Sequence, residues 1–221
     1  MILFSTPCNP TGEVYHEKAL KRMAEIARER NIMLVSDEPY HKIIFDQSSH
    51  VSPGKFGLQN VAVVNSFSKT YAMSGWRIGY IIAEKYLVEG MKKVQMHQCT
   101  SVAPFTQDAA KFALMNDVKG IEERRQIYKK RRDLFVNSVS KSLPGRMPPA
   151  TFYYFARTDH LGVDGKTLVE KLIEKKMLAV PGYLFGKFAP NAVRFSFAKP
   201  EEDLKAGAER VNEVVESLKQ H

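Results

Sequence analysis

An α/β fold with a mostly parallel sheet and its helices, followed by a smaller α+β domain, is what this sequence predicts, on three observations. Short apolar runs rich in β-branched residues alternate with helical periodicity through the first half. Polar and reactive residues follow those runs directly, as they do where ligands bind at strand ends in open sheets. A cluster of turn residues, Pro144-Gly145 with Pro148-Pro149, then interrupts the pattern before strands and helices resume.

The first strand is Met1-Ile2-Leu3-Phe4-Ser5. Leu20, Met23, Ala24 and Ala27 mark one face of a helix over about residues 17 to 30, closed by Asn31, and Ile32-Met33-Leu34-Val35-Ser36 is the second strand. Such a strand-helix-strand unit makes the two strands parallel. A loop through Gln47, Ser48, Ser49, Pro53, Gly54 and Gly57 leads to the third strand, Val61-Ala62-Val63-Val64-Asn65, and Ile78-Gly79-Tyr80-Ile81-Ile82-Ala83 is the fourth. Helical patterns follow from about Tyr86 to His97 and from Gln107 to Met115. A long basic helix over about 120 to 142 then carries Ile121, Tyr128, Phe135 and Val139 at helical spacing, with its basic residues on the other, solvated faces, and serves as a connector. The domain boundary falls at the proline cluster, giving domains of 1–143 and 144–221. In the second, Thr151 to Ala156 reads as a strand, Leu168, Val169, Leu172 and Ile173 as a helix, and Leu178-Ala179-Val180 as a short strand. An aromatic loop, Pro181 to Gly186, leads to the strand Val193-Arg194-Phe195-Ser196-Phe197-Ala198 and a terminal helix marked by Leu204, Ala208, Val211, Val215 and Leu218.

The chemistry concentrates after the strands. Lys69 in Ser66-Phe67-Ser68-Lys69, with Arg77 in Ser74-Gly75-Trp76-Arg77-Ile78-Gly79, offers an amine, a hydroxyl and a guanidinium to one anionic ligand. An amine forms a Schiff base with an aldehyde, and a hydroxyl with a guanidinium holds a phosphate, so the pair of functions suggests pyridoxal phosphate. Asp37-Glu38-Pro39-Tyr40 follows the second strand, where the Asp37 carboxylate can keep a pyridine nitrogen protonated. Taken alone, Asp37 is as well suited to capping a turn, and Tyr40 to packing. Asn9-Pro10-Thr11-Gly12 is a turn whose Asn9 offers an amide to a phenolate oxygen.

These motifs, N-P-T-G, D-E-P-Y and S-F-S-K-T-Y-A-M-S-G-W-R-I-G-Y, resemble the fold-type I, class I/II aminotransferases, pyridoxal-phosphate enzymes, over nearly the whole chain. The first domain would then be part of the large-domain sheet of a PLP-transferase. The resemblance implies that Lys69 carries the cofactor and shuttles a proton, and that Asp37 pairs with the ring nitrogen. It implies that Asn9 and Tyr40 bond the phenolic oxygen, and that Ser66 and Arg77, with Ser68 as a further hydroxyl, take the phosphate. Arg194, flanked by apolar residues at 193, 195 and 197, matches the arginine that takes the substrate carboxylate, with Asn9 beside the substrate. An amino acid and a 2-oxo acid would be the substrates and a homodimer, or an edge-associated homo-oligomer, the assembly. Such chains carry an earlier half with a Gly-rich phosphate turn and a ring-stacking aromatic, so the resemblance is to their carboxyl-terminal part. One departure is Ala150, where the family commonly has Gly. The same residues serve C–S lyases and other β-eliminating enzymes, and the same fold serves non-catalytic ligand-sensing modules.

Composition narrows the remaining classes. The 221 residues suffice for one large domain or two smaller ones. Cys8 and Cys99 make neither a disulfide framework nor a metal-ligand spacing, and no apolar run reaches membrane-spanning length, which points to a cytoplasmic protein without metal or membrane partner. The net charge of +9 is densest at Arg124-Arg125 and Lys129-Lys130-Arg131-Arg132, on a helix whose apolar stripe explains the pattern without nucleic acid.

Overall fold

The computed structural model describes residues 1–46 and 48–219, so Gln47, expected in a loop, lies outside the described residues. The chain divides into two compact units, one of residues 1–8 and 13–125, the other of residues 9–12 and 126–221.

In the first unit, strands β1 (Ile2–Ser5), β2 (Leu34–Asp37), β3 (Val61–Ser66) and β4 (Gly79–Ile82) form one sheet in that order. β1, β2 and β3 run parallel, and β4 is antiparallel to β3. The return between β1 and β2 is helix α1 (Glu17–Glu29), which buries Leu20, Ala24 and Ala27. Ala24 and Ala27 pack on Leu34, Val61 and Val63 of the sheet, with Phe4, Met23 and Phe56 around them. Each fully buried Leu or Val here contributes about 1.5–3 kcal/mol. Asn31 stops α1 by taking the left-handed φ of 50°, as its short amide allows, and the Asn60 side chain donates to the Ala27 carbonyl of the last turn.

After β3 come the single turn α2 (Phe67–Thr70), then α3 (Lys85–Cys99), α4 (Pro104–Asn116) and α5 (Val118–Val139). The basic side chains of α5 are not all solvated, contrary to the periodicity-based expectation. Arg132 is buried and donates to the Pro148 carbonyl at 3.1 Å while pairing with Asp133. Arg125 reaches the Ile44 carbonyl and Arg124 the Thr70 carbonyl. Guanidinium groups can be spent on backbone carbonyls this way because several N–H donors remain for a counter-ion.

The second unit holds a three-stranded antiparallel sheet, ordered β5 (Tyr153–Arg157), β7 (Ala192–Ser196), β6 (Val180–Pro181). Helix α6 (Gly165–Glu174) buries Leu168, Val169 and Leu172, and α7 (Glu201–Lys219) buries Leu204, Ala208, Val211 and Val215. Phe135 of α5 completes this core, its ring 5.6 Å from Phe195 and 6.5 Å from Tyr154. The Asn9-to-Gly12 turn belongs to this unit. Gly12 has φ +74°, and a Cβ there would stand 2.6 Å from the Ala150 carbonyl oxygen, so only glycine fits.

Candidate cofactor site

In the first unit the chemistry sits at the carboxyl ends of β2 and β3. Asp37 is the last residue of β2, and Lys69 lies on α2 immediately past β3. The turn forms because Ser66 caps it, its Oγ accepting from the Ser68 N–H at 3.0 Å. Phe67 and Thr70 are buried and anchor it, while Lys69 and Ser68 are half-buried on its other side. Thr70 Oγ1 donates to the Pro39 carbonyl at 3.2 Å, tying the lysine turn to the Asp37-to-Tyr40 segment. Phe67 packs on Tyr71 and Ala110, with Tyr80 and Ile121 alongside.

Arg77 joins the same corner from the other direction. The Phe67 N–H donates to the Ile78 carbonyl at 3.3 Å, and Ser66 pairs with Gly79 across β3 and β4. Arg77 is exposed, has a left-handed φ of 53°, and donates from Nη1 to the Ser74 carbonyl. The remaining guanidinium donors and the Ser66 O–H are a donor set suited to a phosphate. Burial, and secondarily the Glu38 carboxylate, push the Asp37 pKa up, and no Lys, Arg or His pairs with Asp37 among the described residues. A carboxylate in that condition favours a ligand that brings it a proton or a cation. Tyr40 is buried at 4% exposure.

The second unit brings Asn9 and Arg194 together, 185 residues apart in sequence. Arg194 Nη1 donates to Asn9 Oδ1 at 2.8 Å, which orients the amide and leaves its NH2 as the group to offer a phenolate. The Arg194 guanidinium lies over the rings of Tyr153 at 4.2 Å and Phe185 at 4.8 Å, and its Nε is buried with no hydrogen-bond partner. A fork packed against two rings with a donor unused suits a planar anion.

Several participants are not visible in the motifs. Tyr153 and Phe185 reach Arg194 from β5 and from the turn after β6, and only the pairing of β5 and β7 places Tyr153 within reach. Glu38, at 3% exposure, accepts from Ser36 Oγ, Ser52 Oγ and His50 Nε2 at 2.7, 2.8 and 2.8 Å, on the face of β2 opposite Asp37. The signal for it was present as alternation, since Ser36 and Glu38 flank Asp37.

The family model for class I and II aminotransferases matches residues 1–211. The chain belongs to that family. Its relatives include a probable aspartate aminotransferase of Methanocaldococcus jannaschii, 39% identical over 98% of this chain and 58% of the relative. Aromatic-amino-acid aminotransferase 2 of Thermococcus litoralis is 34% identical over 99% of this chain and 58% of its own length. Among solved structures, the aromatic aminotransferase of Pyrococcus horikoshii superposes with a TM-score of 0.93 at 35% identity, covering 97% of this chain and 59% of that one. This class I/II aminotransferase chain thus spans little more than half the length of the relatives it matches, and over that span the α/β fold and mixed sheet are the family's.

Proposed function

We propose that this chain is the part of a pyridoxal-phosphate-dependent aminotransferase that holds the cofactor and receives the amino acid, exchanging an amino group between an amino acid and a 2-oxo acid. The observation that carries the reading is the lysine turn: Lys69 on a capped, anchored turn whose corner also presents Ser66 and Arg77, tied through Thr70 to the segment bearing Asp37. Pyridoxal phosphate, when bound, supplies a protonated ring that draws electrons from the amino acid's α-carbon. The residues here fit that group, since the raised proton affinity of Asp37 suits a pyridinium N–H and the Ser66–Arg77 donors suit its phosphate. The Lys69 amine would hold the aldehyde carbon and, once displaced, accept and return the substrate's α-proton at Nζ. Asn9 Nδ2 and the Tyr40 hydroxyl would bond the phenolic oxygen, and Ser68 would add a second hydroxyl near the phosphate.

Arg194 would bind the substrate's α-carboxylate through the donors Asn9 leaves unused, which the partnerless Nε supports. Relatives named for both aspartate and aromatic amino acids support amino-group transfer over elimination without choosing the side chain. We further propose a cytoplasmic homodimer. The exposed Cys99 thiol suits a reducing compartment, and the unpaired edges of β1 and β4 suit association. No helix among the described residues is long and apolar enough to cross a membrane. Borohydride reduction in the presence of pyridoxal phosphate, followed by peptide mapping, tests the assignment. The label is expected on Lys69 and absent from Lys69→Ala, and label on another lysine with Lys69 unmodified would overturn it.

A further inference from the structure

Behind the lysine turn runs a line of hydrogen bonds that the proposed chemistry does not use. The backbone N–H of Ser66 donates to Asn65 Oδ1 at 2.8 Å, which fixes the orientation of that buried amide and aims its NH2 away from Ser66. Asn65 Nδ2 then lies 3.1 Å from His41 Nδ1. The same ring nitrogen is 3.1 Å from the Glu38 carbonyl oxygen. Nδ1 thus stands between one group that can only donate and one that can only accept, and its proton decides which of the two it bonds. If Nδ1 is bare, Asn65 donates to it. If it carries a proton, the bond goes to Glu38 and the Asn65 N–H is stranded in a buried site, where an unmet donor is costly.

We propose that His41 is a positioning residue for the cofactor lysine: its bare Nδ1 accepts from Asn65, the Asn65 carbonyl oxygen is thereby held on the Ser66 N–H, and the corner that presents Ser66 and starts the Lys69 turn is locked. The proposal rests on the reading of Lys69 and Ser66 as cofactor-binding residues. The environment of His41 favours the neutral ring. Burial lowers its pKa to about 4, with Lys42 and His50 also disfavouring the cation and the Glu38 carbonyl and carboxylate opposing them. At neutral pH the ring is then an acceptor on one nitrogen, and we assign that role to Nδ1 because the Glu38 carbonyl already accepts from the His41 backbone N–H whereas a proton on Nδ1 would leave the Asn65 N–H unmet. The link joins the segment that follows Asp37 to the end of β3, just before the Lys69 turn, and acts beside the Thr70–Pro39 bond.

The test uses the cofactor-free 221-residue chain first. Nitrogen-15 NMR of the His41 ring at pH 7 is expected to show a bare Nδ1 and a protonated Nε2, and a proton on Nδ1 would overturn the proposal without any variant. Hydrogen exchange at the Ser66 N–H is the second readout. His41→Phe keeps the ring's bulk and removes the acceptor, and is expected to speed that exchange by about tenfold or more. His41→Asn puts an amide oxygen close to the position of Nδ1 and is expected to restore protection, which a loss of packing alone would not do. Protection in the wild type should also fall as pH drops through about 4, where the ring gains its proton, and not in His41→Asn. Unchanged protection in His41→Phe, or failure of Asn to restore it, would refute the relay. Borohydride labelling of the same samples separates the two readings: a wild type that protects Ser66 as expected but labels elsewhere than Lys69 would refute the functional assignment and leave the relay standing.

Discussion

Burial raises the proton affinity of Asp37, with Glu38 adding to it, so this residue is uncomfortable as a bare carboxylate until a ligand brings a proton to it. The sign of the stability effect follows. The folded chain holds the Asp37 proton more tightly than the unfolded chain, so its contribution is present below the unfolded value of 3.8 and is lost as pH rises through the raised folded value. Asp37→Asn should therefore melt higher than the wild type in the cofactor-free chain, by a margin that grows from pH 3 to pH 7 in thermal scans. In any complete enzyme containing this segment the same change should lower turnover on the order of a hundredfold or more, because the neutral amide cannot keep the ring nitrogen protonated. An Asn variant that melts lower at pH 7, or that turns over normally, would contradict the role. At Arg194 a different split is expected. Arg194→Lys replaces the ring-packed fork with a point charge, at a loss of about 1.5–3 kcal/mol, so steady-state kinetics should show KM for the amino acid rising roughly ten- to a hundredfold with kcat less affected.

At the scale of elements, the turn from Asn9 to Gly12 is as demanding as any strand. Gly12→Ala adds a Cβ against the Ala150 carbonyl and forces a left-handed φ on a residue with a side chain, at a cost of about 1–3 kcal/mol. Differential scanning should place its Tm several degrees lower, and an unchanged Tm would mean that the turn relaxes freely. Elements with strong period were legible in the sequence: α1, α5 and α7 fall where their apolar stripes predict, and each strand within about two residues. β2 does not reach back to Ile32 because the Ile32 N–H is taken by the Ala27 carbonyl of α1, and hydropathy alone cannot see which residues pair. The turn holding Lys69 is not visible as a helix in the sequence because four residues carry no period, and a single cap at Ser66 makes it helical. The motif residues proposed for the site are singled out in the sequence by their chemistry. Tyr153 and Phe185 around Arg194, and His41 beside Asn65, are not, since each depends on contacts between segments distant in sequence. Arg132 was misread as solvated because charge says nothing of a carbonyl waiting sixteen residues on.

Across the whole molecule, the proposed grip on cofactor and substrate occurs together with surface that a chain on its own is expected to bury by association. β1 and β4 are the edges of the first sheet, and Ile2, Leu3 and Ile82 on them are exposed. Helix α3 buries none of its residues, and on α4 Phe105, Phe112 and Met115 stand 71%, 70% and 68% exposed. Burying three such side chains is worth about 1.5–3 kcal/mol each, more than the entropic cost of ordering them, and open strand edges add hydrogen-bonding partners for another chain. The relatives are longer, this chain spanning 58% of the Methanocaldococcus jannaschii protein, and the resemblance implies an earlier half whose Gly-rich turn would add backbone donors to the phosphate. Each charge-assisted bond is worth about 1.5–3 kcal/mol, so two fewer weaken the cofactor by roughly two to four powers of ten. The 221-residue chain alone is therefore expected to sediment as a concentration-dependent oligomer, to bind pyridoxal phosphate weakly, and to show little or no transamination with 2-oxoglutarate. Co-expression with the segment of a relative that this chain does not span is expected to reduce the self-association and to raise cofactor affinity. A monodisperse monomer of the 221 residues that binds the cofactor tightly and turns over amino acids at ordinary enzymatic rates would refute this account of the surface.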